Sequence, residues 1–94
     1  MAILGTFTKQ PGERLDFDVD FSEWLSTTDT ITSVVSVCDT GLTAETPLKD
    51  VTNKIVKQWI TGGTTGTTYK VQITATTTEG RIKEAEFKVK VKEV

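Results

Sequence analysis

Ninety-four residues with a formal net charge of −2 make one small domain around a single core. No histidine is present, which excludes Ser-His-Asp and Cys-His catalysis and histidine-bearing zinc sites. The lone cysteine, Cys38, rules out an internal disulfide and reads as a small core or rim residue. Hydrophobic and charged fractions of 36% and 26% suit a globular chain with no apolar run long enough to span a membrane.

In chain order, Met1 to Gly5 lacks the basic and apolar regions of a signal peptide, so the expectation is a protein made and used in a cytoplasm. Ile3 to Thr8 alternates weakly and predicts a first strand, closed by a turn at Gln10-Pro11-Gly12-Glu13. Leu15 to Phe21 is the cleanest strand. Leu15, Phe17, Val19 and Phe21 form an apolar face, and Asp16, Asp18 and Asp20 the opposite one. Ser22-Glu23-Trp24-Leu25 predicts one helical turn opened by a serine cap, with Trp24 plugging an end of the core.

Ile31 to Cys38 predicts a third strand, broken by Asp39-Thr40-Gly41. Leu42 to Asp50 contains Pro47 and reads as irregular, with room for a short edge strand. Asn53 to Ile60 predicts a strand with Ile55, Val56, Trp59 and Ile60 as its apolar residues and both tryptophans buried. The segment Thr61 to Gly66 is a glycine corner, followed by a long strand from Thr67 to Thr77 in which Tyr69, Val71, Ile73 and Ala75 share one face. After a turn at Glu79-Gly80, the last strand runs from about Arg81 to Val94. Its apolar phase shifts between Ile82 and Ala85, Phe87, Val89 and Val91, which predicts a bulge near Lys83-Glu84. Threonine-rich strands with regular turn signals and no sustained helical period give an all-β class: an immunoglobulin-like β-sandwich of about seven strands, with residues 1–94 as one domain. Tyr69, at the head of the penultimate strand, stands where such sandwiches carry a tyrosine corner.

Candidate chemistry is sparse. Asp16, Asp18 and Asp20 stand about 7 Å apart along one strand, but a calcium cage wraps its ligands around the ion and no EF-hand pattern follows. The glycine corner lacks the Gly-Lys-Ser/Thr ending of a P-loop. Lys88, Lys90 and Lys92 form a basic stripe, yet Glu84, Glu86 and Glu93 share that segment and no exposed aromatic is interleaved for base stacking. No catalytic residue, cofactor site or metal site is expected, and neither nucleic acid nor membrane as a partner.

Charge is unevenly distributed. Residues 1–50 carry three basic and nine acidic side chains, and residues 51–94 eight basic and four acidic. Placed on different sheets, the Asp16/Asp18/Asp20 and Lys88/Lys90/Lys92 faces would give each copy two oppositely charged sides, suited to docking on charged partners or on further copies. Ordinary solvated strand faces are the plainer alternative.

The ordered set Pro11-Gly12-Glu13, the acidic strand Leu15 to Phe21, Ser22-Glu23-Trp24-Leu25, Trp59-Ile60-Thr61-Gly62-Gly63-Thr64-Thr65-Gly66-Thr67-Thr68-Tyr69 and Thr78-Glu79-Gly80-Arg81 resembles small tailed-phage virion proteins of the fiber–tail adaptor type. The resemblance spans nearly the whole chain and is weakest over Leu42 to Asn53. It implies an immunoglobulin-like module with no catalytic residues. The module would be assembled in the host cytoplasm into the tail, neck or fiber-attachment region of the virion, and would contact other virion proteins. The alternatives are an immunoglobulin-like adhesion or carbohydrate-binding module, or a head decoration protein.

Overall fold

The computed structural model describes residues 2–50 and 53–93; Val94, the expected end of the last strand, lies outside them. The elements are β1 (Ala2–Lys9), β2 (Leu15–Asp20), a 3-10 turn (Ser22–Trp24), β3 (Ile31–Cys38), β4 (Leu42–Ala44), β5 (Leu48–Lys49), β6 (Ile55–Gly62), β7 (Thr67–Thr77) and β8 (Ile82–Val91). One sheet has the order β1-β8-β7-β3. The other has the order β2-β6-β4, with β5 also paired to β6. The two sheets pack as an all-β sandwich. The eighth strand arises because the segment around Pro47, which lacks a backbone N–H, splits one edge into β4 and β5.

The alternation read from the sequence builds the core. Val19, Phe21, Val56, Ile60, Tyr69, Val71, Ile73, Ala75, Ala85, Phe87, Val89 and Val91 are buried between the sheets. Phe7, Phe17 and Phe87 cluster with ring centroids 5.1–5.9 Å apart, which ties β1 and β2 to β8. Trp24 packs on the core edge-to-face with Phe21 at 5.3 Å. β1 runs parallel to β8, with a register shift between Ile3 and Thr6 where Gly5 adopts φ +135°.

Three local expectations need correction. The β7–β8 ladder is continuous from Thr67↔Val91 to Thr76↔Ile82, so there is no bulge at Lys83-Glu84. Ile82 simply sits on the solvent face with Glu84 and is 66% exposed. In β6 it is Val56, Gln58 and Ile60 that point inward, and Trp59 stands on the outer face opposite Asp16. Strict two-residue periodicity outweighs side-chain hydrophobicity here. Gln58 is tolerated inside because its Nε2 donates to the Glu45 carbonyl at 2.5 Å and the Trp59 carbonyl at 3.0 Å; its Oε1 is left without a partner. Finally, the 3-10 turn is not opened by a serine side chain. Phe21 is its cap residue, and Asp20 Oδ1 accepts from the Ser22 N–H at 2.8 Å.

Candidate functional site

The two charge sets expected from sequence fall on different sheets. Asp16, Asp18 and Asp20 point outward from β2, an edge strand, and are exposed. The register sets Asp18 opposite Lys57 and Asp16 opposite Trp59. Lys57 Nζ reaches Asp16 at 2.9 Å and Asp18 at 3.7 Å. The hydrogen bond from Lys57 holds the Asp16 carboxyl below its ordinary range, and Asp16 in turn raises Lys57. Asp20 is lowered by its bond with Ser22. Much of this acidic row is therefore satisfied within the chain.

Beside that row, Arg14 forks onto Glu45 at 2.7 and 2.9 Å and lies 4.0 Å above the Trp59 ring centroid. The guanidinium occupies the ring face that stacking on a sugar would use. A cavity of about 320 Å³ opens nearby, lined by Asp18, Leu48, Lys49, Asp50, Ile55 and Lys57.

The basic face differs in kind. Lys88 and Lys90 point outward from β8, and Lys92 follows the end of that strand. The β7–β8 register places Lys70 directly opposite Lys88, with Lys90 two residues further along. Like charges facing each other across a ladder repel. None of these four lysines makes an ion pair among the described residues. Sequence reasoning missed Lys70, because its place depends on a pairing register that residue spacing does not show. The far end of the same face carries Glu84, which accepts from Gln72 at 3.3 Å, and the buried Glu86. The outer face of this sheet is thus divided along its length rather than uniformly positive.

Two knots hold these faces in place. Tyr69 Oη accepts from the Thr64 N–H at 2.9 Å, and its ring lies between Gly41 and Gly63, both at positive φ. That contact closes the glycine corner over the lysine end of β7. At the other end, Asp29 is fully buried. Its Oδ1 accepts from Thr30 N (3.0 Å), Thr78 Oγ1 (2.9 Å) and Glu79 N (3.1 Å), and its Oδ2 from Arg81 at 2.9 Å. Burial pushes this carboxyl up, but the hydrogen bonds from Thr77, Thr78, Glu79 and Arg81 outweigh it and hold the group at about 2.

Two packed sheets with polar knots at both ends define an all-β structural module. The chain belongs to the podophage fiber–tail adaptor family: the family model described as "Podophage GP4 fiber-tail adaptor protein gp77" matches residues 9–90. It matches no curated protein. Membership in this family implies a virion component in contact with other tail and fiber proteins.

Proposed function

We propose that this chain is a non-catalytic adaptor that joins tail and fiber components through protein–protein contacts, docking by its charged faces. The observation that carries the docking assignment is the opposed pair Lys70 and Lys88 with Lys90 beside it, none of them in an ion pair among the described residues. Like charges held together cost stability, and an anionic surface of a neighbouring subunit relieves that cost. Lys92 extends the patch. Asp16, Asp18 and Asp20 form the second face, weaker because Lys57 already neutralises part of it. Many copies on a particle would offset weak single contacts, and further copies of the chain are candidate partners alongside tail, neck and fiber proteins. The strand order, with one sheet of β2-β6-β4/β5 and the other containing β3, β7 and β8, supports an immunoglobulin-like reading of the sandwich, as does the Tyr69–Thr64 bond.

Reversing Lys70, Lys88 and Lys90 to glutamate tests this reading. The variant should fold, because each side chain lies on the outer face. Supplied in place of the wild-type protein during phage assembly, it should enter particles roughly tenfold less well. Added salt should weaken the wild-type contact in the same direction. Wild-type incorporation of the triple variant at low salt would discard the basic face as a docking surface.

A further inference from the structure

Edge strands expose unpaired backbone groups, and folded proteins blunt them with charge, bulges, proline or brevity. Here β2 carries three aspartates, β1 is bulged at Gly5, and β4 and β5 are three and two residues long on either side of Pro47. β3 is the exception. It is eight residues long and contains no charge, proline or glycine. A register shift at its start and a bond from Lys49 Nζ to the Thr32 carbonyl (3.1 Å) protect only the first turn of the strand. From Ser33 to Cys38 the edge is regular, and the solvent-facing Val35 and Val37 are 61% and 62% exposed.

The direction of the free backbone groups follows from the ladder. Asp39 N–H bonds to the Lys70 carbonyl, continuing the register Cys38↔Val71 and Val37↔Gln72. In an antiparallel pair, alternate residues direct both N–H and C=O to the partner. Ser33, Val35 and Val37 therefore face β7, and Val34, Ser36 and Cys38 turn their backbone groups to the open edge.

We propose that β3 is a self-docking edge, which pairs antiparallel with β3 of a second copy about a two-fold axis at Ser36. This register satisfies every outward N–H and C=O of Val34, Ser36 and Cys38, because Val34 of one copy meets Cys38 of the other and Ser36 meets itself. It also sets Val35 against Val37 of the second copy in the closely spaced non-hydrogen-bonded positions, joining four exposed valines into one apolar patch. At each end, Ser33 faces Asp39 of the other copy, whose carboxylate is held back on its own sheet by the Lys70 N–H at 2.9 Å. An uncharged strand brings no like charges together along the seam, which is the requirement a self-complementary interface must meet. The two four-stranded sheets become one continuous sheet.

Sedimentation velocity over a range of concentrations tests the pairing. The wild-type chain should move from one to two copies as concentration rises. Ser36→Pro deletes an outward N–H without touching the β7 ladder; it should keep its circular dichroism spectrum and weaken self-association by roughly tenfold or more. Val35→Glu and Val37→Lys, both at exposed positions, should each associate poorly alone and recover as a mixed pair, because residue 35 faces residue 37 across the axis. A wild-type chain that stays monomeric at every concentration overturns the proposal. So does undiminished association of Ser36→Pro, or failure of the mixed pair to recover. If the wild type is monomeric and Ser36→Pro abolishes capture of a neighbouring tail protein, the edge belongs to a strand of that protein instead.

Discussion

Replacing Asp29 by asparagine should lower the melting temperature at pH 7 by on the order of 10 °C. The carboxylate is buried and gathers a backbone N–H on each side of the sandwich end, a threonine hydroxyl and the Arg81 guanidinium. It thereby ties the loop ahead of β3 to the β7–β8 turn. An asparagine of the same shape keeps one acceptor oxygen but turns an amide N–H₂ toward Arg81, so a donor meets a donor. The same variant should change the response to acid. The folded carboxyl sits at about 2, below the ordinary value of roughly 3.9. As pH falls, the unfolded chain binds the proton first. The stabilisation is therefore fully present above about pH 5 and fades as the pH drops toward 2. Melting temperatures of wild type and Asp29→Asn, measured from pH 7 down to pH 2, should converge at the acid end. Parallel curves would show that the carboxylate charge contributes nothing.

Asp29 also shows where sequence reading stops. The alternation in β2 and β7 is local, and a period of two is enough to assign their faces; β3 begins and ends at the expected residues, but there Val35 and Val37 face solvent and Ser36 is half-buried, against the apolar alternation. Apart from the adjacent Thr30 N–H, Asp29's partners Thr78, Glu79 and Arg81 lie 49 to 52 residues away, so Thr28-Asp29-Thr30 carries no sign of its role. Lys70 was invisible as part of the basic face for the same reason: its neighbour Lys88 is set by ladder register. Trp59 and Gln58 misled in a different way. Hydrophobicity assigned the tryptophan to the core, but the backbone phase of β6 was already fixed by Val56 and Ile60 and turned the glutamine inward instead. At Ile82 one exposed apolar side chain imitated a phase slip. The acidic row on β2 and the lysine row along β8 and just past its end were legible because each follows one local period of two; their ties to Lys57 and Lys70 were not.

Gly63→Ala should destabilise the fold by about 2–4 kcal/mol, combining left-handed backbone strain with overpacking. Gly63 has φ +100°, and a methyl group there would lie 2.5 Å from Val91 Cγ2, 3.2 Å from Leu42 Cδ1 and 3.4 Å from Tyr69 Cε2. Val91 and Tyr69 are both core residues, so neither yields without opening the corner. Gly66→Ala is the matched control. Its φ of +87° carries comparable backbone strain, but nothing lies within 4 Å of the added carbon, so a loss of only about 1–2 kcal/mol is expected. Thermal unfolding of both variants separates the terms. Equal losses would mean that packing of Tyr69 against the glycine corner contributes little.

As a member of the fiber–tail adaptor family the sandwich is a virion component, and the proposed role places it where tail and fiber join. Cryo-electron microscopy of intact particles of the phage that encodes it tests this most directly. Density for the two-sheet module is expected between the tail and the fiber base, with the Lys70, Lys88 and Lys90 face against an acidic neighbour. Particles that lack the chain, or that carry it on the outer surface of the head, would rule out an adaptor role.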